Sequence, residues 1–275
     1  MDGGPVSITA PQKTKSLMTI TLFQRDILWA DPSANIRLNE QLLLNAPKSD
    51  LYVLPEMWST GFVTSPAEDH IADGATELQW MQQMAKRLDA AIAGSVAIQA
   101  EDGTYRNRFY FVTPEHTTHY DKHHLFTYGG EHKRYTAGQE RVVAEWRGVR
   151  FLLMVCYDLR FPTYSRNIPR EEGGYDCALY VASWPTPRVE AWRTLLLARA
   201  IENQCYVCGV NRVGTDPTCQ YCGGTAAIDP YGKYIEACPD GAEGTITFTL
   251  DLDALQAFRE KFPVLKDRDY IQVKN

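Results

Sequence analysis

The feature that most constrains the fold is a set of short apolar runs that stop abruptly on reactive or polar side chains. "FLLMVCYDLRFP", residues 151–162, carries five apolar residues into Cys156, then turns polar and charged and closes on a proline. "LYVLPE" (51–56) ends on Glu56, and "CALYVAS" (177–183) is built the same way. Apolar runs of roughly four to eight residues bounded by turn signals read as strands buried on both faces, and such strands need layers above and below them. Active sites of layered α/β proteins gather where these strands end. Cys156 is therefore a candidate nucleophile, against the plainer reading of a small buried hydrophobe.

Helical signals alternate with the strands. Asp31 and Pro32 mark the N-cap and first position of a helix running to about Ala46. Thr76 and Gln79 match a capping box, with Leu78, Met81, Ala85, Leu88 and Ile92 following at spacings of three and four. "PRVEAWRTLLLARAIEN" (187–203) predicts a third helix, with Trp192, Leu195, Leu196 and Ile201 on its apolar side. "AIAGSVAIQA", "RNRFYFVTP" and "HTTHYDKHHLF" follow one another without a long helix, which predicts hairpin pairing. "CYVCGVNRVG", "TAAIDPYGKYI", with a turn at Pro230 and Gly232, and "GTITFTLDL" supply later strands. The sum is one α/β domain over residues 17–275, behind a polar leader (1–16) expected to be disordered.

Charge and cysteine usage narrow the function. A formal net charge of −6 argues against nucleic acid and anionic membranes as partners. Neither a stretch of membrane-spanning length nor the apolar segment of a secretory signal is present, which predicts a cytoplasmic protein. Seven cysteines, an odd number, weaken a disulfide framework. The pairs Cys205/Cys208 and Cys219/Cys222 have the spacing of a zinc site. However, Cys205 and Cys208 lie on a β-prone run, where residues three apart point to opposite faces, so ordinary buried thiols are the expectation and no metal is assigned.

Three segments each deliver a reactive group at the end of an apolar strand: Glu56, Lys122 in "HYDKHHLF", and Cys156. A base, a cation and a nucleophile form the minimum set for acyl transfer. The motifs "LPEMWSTGF", "YDKHHLF" and "VCYDLRFP", with Glu131 in "GGEHKRYTAG", resemble those of the nitrilase, or carbon-nitrogen hydrolase, superfamily. "ASWPTPRVEAWRTLLLARAIENQCYVCGVNRVGTD" and "YCGGTAAIDPYGK" resemble its omega-amidase branch, whose members hydrolyse the ω-amide of 2-oxo acids such as 2-oxoglutaramate and 2-oxosuccinamate.

The resemblance implies a four-layer α-β-β-α sandwich of two mixed sheets flanked by helices, and a homodimer or higher homo-oligomer paired through helical faces. It implies Glu56 as base, Cys156 as nucleophile, and Lys122 with the backbone N–H of Tyr157 as the oxyanion hole. Glu131 would support Lys122 or the substrate amide, and no cofactor enters the chemistry. A 2-oxo acid monoamide also presents a carboxylate, for which Arg160 is the candidate contact; the alternative is that Arg160 fixes the loop through Asp158. Trp58, Phe62, Phe126, Tyr128 and Trp184 are candidate pocket walls. An N-carbamoyl amino acid, another aliphatic amide or a nitrile is the alternative substrate for the same residues.

Overall fold

A computed structural model describes residues 16–69 and 71–269, so all but Ser16 of the expected leader lies outside the described residues. Two six-stranded mixed sheets carry the architecture. The first takes β1 (Leu17–Gln24), β2 (Leu51–Val53), β3 (Ala91–Gln99), β4 (Tyr105–Val112), β5 (Thr117–Asp121) and β14 (Gly244–Asp251), in the order β14-β1-β2-β3-β4-β5. The second takes β6 (Val143–Trp146), β7 (Val149–Val155), β8 (Cys177–Ala182), β9 (Tyr206–Asn211), β12 (Ala226–Ile228) and β13 (Tyr234–Ala237), in the order β13-β12-β9-β8-β7-β6. Both follow one plan: three parallel strands, β1-β2-β3 and β7-β8-β9, flanked by antiparallel ones. The predicted hairpin pairing of β3, β4 and β5 is present in full. A small hairpin, β10 (Val213–Thr215) with β11 (Gln220–Cys222), stands apart.

Burial on both faces explains the unbroken apolar runs. Alternate residues of the central strands meet between the sheets, among them Leu22, Val53, Phe109, Phe111, Phe151, Leu153, Val155, Leu179 and Val210. Phe111 and Phe151 touch across that interface with ring centroids 5.3 Å apart. The intervening residues face outward onto helices. Tyr52, Ile92, Val96 and Ile98 pack on α1 (Pro32–Asn45) and α2 (Ala75–Leu88) through Leu43, Trp80, Met81 and Met84. Leu152, Met154, Ala178, Tyr180 and Val207 pack on α4 (Val189–Asn203) through Trp192, Leu196 and Ala200. The short α3 (Pro162–Ser165) and α5 (Leu252–Lys261) complete the helices, and the layers run α-β-β-α as expected.

Several local readings are corrected. Thr76 and Gln79 form no capping box; α2 opens on left-handed Gly74, while Asp73 accepts from the Ala75 N–H at 2.9 Å. A Cβ at Gly74 would lie 2.4 Å from Ile98, so glycine is required there for packing as well as for its φ. Ile92 belongs to β3 rather than to the helix, which stops at left-handed Asp89. Ile201 is exposed instead of packed. Trp58 is core, against Trp80 at 4.8 Å. Cys205 and Cys208 do point apart: Cys205 packs in the helical layer, and Cys208 lies between the sheets, 3.7 Å from the Cys177 sulfur.

Candidate active site

The chemistry-bearing groups leave the C-terminal ends of four strands. Glu56 follows β2, Lys122 follows β5, Cys156 follows β7, and Ser183 follows β8. Cys156 opens a 3₁₀ turn (Cys156–Arg160) at φ +46°, a left-handed conformation that is strained for a residue with a side chain. Met57, beside Glu56, has φ +45° and is pinned through its N–H to Ser95 Oγ at 3.0 Å. Two bent backbones thus aim Glu56 and Cys156 at the same space.

The strain at Cys156 is held by a buried carboxylate. Asp158 accepts hydrogen bonds from the Val155 N–H (2.9 Å), the Tyr120 hydroxyl (2.8 Å) and the His124 N–H (3.0 Å), and its Oδ1 lies 2.8 Å from His124 Nδ1. Tyr120 and His124 bracket Lys122, so one side chain ties the nucleophile turn to the lysine turn. Arg160 is not paired with Asp158. It is exposed, with its guanidinium 4.9 Å from the centroid of Trp184.

Lys122, Glu56 and Glu131 are all buried and bonded together. Lys122 Nζ donates to Glu56 Oε1 at 3.0 Å and to Glu131 Oε2 and Oε1 at 2.9 and 3.2 Å. Asn107 Nδ2 donates to Glu56 Oε1 at 2.8 Å and to Glu131 Oε1 at 3.3 Å. The Ser183 N–H donates to Glu56 Oε2 at 2.7 Å, and the Phe126 N–H to Glu131 Oε2 at 2.6 Å. Both carboxylates are therefore oriented by donors on different strands and loops. Asn107 escaped the sequence reading. Its signal was a lone amide on the same strand face as Phe109 and Phe111, a position that otherwise takes apolar residues.

Burial opposes the charge on Lys122, but Glu131 and then Glu56 more than offset it and hold the ammonium's pKa above its ordinary value. Burial, opposed by Lys122 and aided by Glu56, raises the Glu131 carboxyl. Burial and the nearby Glu56 carboxylate push the Cys156 thiol well above its usual range, Lys122 pulling the other way. The resting sulfur is thus a thiol. A base must take its proton as it attacks, and Glu56 is placed to do so.

Cys156 opens onto a cavity of about 320 Å³. Phe62, Phe126, Tyr128, Arg160 and Trp184 line it, and Tyr157 forms part of the same wall. The Tyr157 N–H lies in the first turn of the 3₁₀ helix, where no intrahelical acceptor exists. Arg188, Thr218 and Tyr221, which are not among the sequence candidates, also line the cavity, as does Cys219 of the Cys219/Cys222 pair. A thiol and an N–H on the cavity wall, with a buried carboxylate and ammonium adjoining the thiol, are the groups that acyl transfer from an amide requires.

A sequence model of the carbon-nitrogen hydrolase family matches residues 19–260. The chain belongs to that family. It is a hydrolase of carbon-nitrogen bonds other than peptide bonds. It is 47% identical to the omega-amidase YafV of Escherichia coli K12, over 92% of this chain and 97% of that one. It is 36% identical to the 2-oxoglutaramate amidase of Bacillus subtilis, over 90% and 96%. Among solved structures it resembles a CN-hydrolase superfamily protein of Xanthomonas campestris with an arsenic adduct in its active site. That match has a TM-score of 0.89 and 41% identity, covering 94% of this chain and 99% of that one. Yeast Nit3 shares the fold at a TM-score of 0.82 and 21% identity, over 95% and 100%.

Proposed function

We propose that this hydrolase releases ammonia from the ω-amide of small 2-oxo dicarboxylic acid monoamides, 2-oxoglutaramate and 2-oxosuccinamate, through a thioester on Cys156. One observation carries the reading: the Cys156 thiol faces a cavity that holds an arginine at its rim and has a buried Glu–Lys–Glu cluster behind it. The names of the curated relatives support the substrate class.

In this mechanism Glu56 takes the Cys156 proton as the sulfur attacks the amide carbon. The oxyanion is held by Lys122 Nζ and the Tyr157 N–H, each worth about 3–4 kcal/mol to the transition state. Collapse breaks the C–N bond, and Glu56 returns the proton to the departing nitrogen, so that ammonia leaves. Glu56 then takes a proton from water as its oxygen attacks the thioester. The C–S bond breaks, and Glu56 reprotonates the sulfur. Glu131 and Asn107 keep Lys122 and Glu56 in place throughout. Arg160 pairs with the substrate carboxylate, and the aromatic walls exclude water.

The core shared between the two sheets supports reading residues 17–275 as one hydrolase domain. The reading also includes a cytoplasmic location; among the described residues no helix is long and apolar enough to cross a membrane. It includes a homodimer. Exposed Tyr231 and Phe262, joined through Phe258 by ring contacts at 4.2 and 6.4 Å, together with exposed Ile201, leave apolar surface that a second copy would cover. Light scattering at micromolar concentration should give at least twice the 31.1 kDa chain mass, and a monomer mass would end that part.

The test is ammonia release from 2-oxoglutaramate, 2-oxosuccinamate, glutamine, asparagine, an N-carbamoyl amino acid and an aliphatic nitrile, by wild type and Cys156→Ala. Turnover of the two 2-oxo amides, lost in the variant, is expected. Turnover of the carbamoyl compound or nitrile instead would reassign the substrate.

A further inference from the structure

The cavity that receives Cys156 carries a second cation that the chemistry above does not use. Arg188, at the start of the α4 segment, is half-buried and lines the cavity together with Arg160. Its guanidinium stands 5.4 Å from the centroid of Phe126 and 5.7 Å from that of Tyr128. Arg160 similarly lies over Trp184. Among the described residues neither arginine forms an ion pair with a carboxylate, although partly buried Arg108, Arg170 and Arg259 and buried Arg199 and Arg212 each do. A guanidinium laid on aromatic faces is oriented while its N–H edge stays available for an anion, at little further entropic cost. Two such cations beside a mostly apolar cavity, with no carboxylate among the described residues paired to either, make a positive wall suited to an anionic ligand.

The geometry points to Arg188 as a charge-specificity residue: it contacts the substrate's terminal carboxylate together with Arg160, and so selects carboxylate-bearing amides over uncharged amides of the same length. This deepens the reading proposed above and rests on it for the identity of the amide. Arg188 also reaches the catalytic cluster indirectly, since the Phe126 it covers donates its N–H to Glu131 at 2.6 Å. A residue that only packs this loop would disturb every ligand alike when changed. A residue that reads charge would disturb anions alone.

The experiment separates these without requiring turnover. Cys156 is alkylated with iodoacetamide, the modified peptide is quantified by mass spectrometry, and the concentration of ligand that halves the rate is measured. Glutarate serves as the anionic ligand and valeramide as an uncharged one of equal chain length. Arg188→Met keeps an apolar stem over the rings, and Arg188→Lys keeps the charge without the planar fork. In Arg188→Met, glutarate should need roughly tenfold or more higher concentration, as for loss of one charge-assisted contact, with valeramide unchanged. Arg188→Lys should fall between. In turnover, KM for 2-oxoglutaramate should rise by at least the same factor while kcat changes less than about threefold. Unchanged glutarate protection in Arg188→Met, or an equal rise for glutarate and valeramide, overturns the inference. If wild type leaves 2-oxoglutaramate intact yet glutarate protection still depends on Arg188, the inference stands and the substrate reading falls.

Discussion

Replacing Glu131 with Gln removes one charge from a buried cluster while keeping its size. Oε2 accepts from Lys122 Nζ and the Phe126 N–H, and Oε1 accepts from Lys122 Nζ and Asn107 Nδ2. An amide can offer only one oxygen. With that oxygen on the Phe126 side, the new NH₂ group faces Lys122 and Asn107, donor against donor. Asn107 and Lys122 each retain Glu56, and Lys122 keeps the oxygen on the Phe126 side, but it loses its second contact and the anionic charge beside it, so the loss falls mainly on the ammonium. A hydrogen bond to a charged group is worth about 1.5–3 kcal/mol, which converts to roughly 10- to 150-fold in rate. Because Lys122 meets the oxyanion rather than the ground-state amide, kcat should carry most of the loss and KM little. A second readout follows from electrostatics. Glu131 is the stronger of the two carboxylates holding the Lys122 pKa up, so in Glu131→Gln the lysine should deprotonate at lower pH than in wild type. The wild type, whose lysine titrates above the assayed range, should show no fall in kcat from that group up to pH 10.5, whereas the variant should lose rate toward the alkaline end. Initial rates of ammonia release from pH 6 to 10.5, with near-ultraviolet circular dichroism confirming the fold, give both numbers. Wild-type kcat in the variant, with no loss of rate toward the alkaline end, would refute the claim that Glu131 holds the catalytic lysine.

Glu56→Gln should abolish amide hydrolysis yet make the Cys156 thiol more acidic, because Glu56 is, after burial, the main force holding that pKa up; alkylation by iodoacetamide across pH reads this, and a thiol made less acidic would contradict it. Asp158→Asn breaks a fully bonded buried carboxylate and should cost about 2–4 kcal/mol, seen as a Tm lowered by several degrees together with a fall in kcat; an unchanged Tm would mean the elbow is held by other contacts. Gly138→Ala would place a methyl group 2.1 Å from the Asp121 carbonyl oxygen, beside the Gly138 N–H bond to the Lys122 carbonyl, so the loop must move; activity should fall by more than tenfold, as expected when a catalytic group is displaced by about 1 Å, and a fully active variant would show that Lys122 tolerates the shift.

What could be read from the sequence follows from what local pattern encodes. β7 and β8 were legible because parallel strands covered on both sides leave unbroken apolar runs, and the abrupt change after Val155 marked Cys156 as a strand end. Glu56, Lys122 and Glu131 were legible as motif residues, but not their mutual bonding, which depends on β2 and β5 being brought into one sheet. Asn107 acts within the first sheet and Asp158 between the two sheets, 51 and 38 positions from Glu56 and Tyr120 respectively, and no short window shows either contact. The α2 boundaries were misread for the opposite reason. Thr76 and Gln79 satisfy a local rule that tertiary packing of Gly74 against Ile98 overrides, and Ile92 continues the helical spacing by chance into β3. Arg188 was missed because its place over Phe126 and Tyr128, with no acidic partner among the described residues, is a property of the folded surface.

The most direct test is rapid-quench mass spectrometry of the enzyme during turnover of 2-oxoglutaramate. The expected result is a transient adduct on the peptide containing Cys156, with the mass of the substrate less ammonia, absent in Cys156→Ala along with ammonia release. Ammonia release that persists in Cys156→Ala, or an adduct on another side chain, would contradict the assignment of Cys156 as nucleophile and the mechanism built on it.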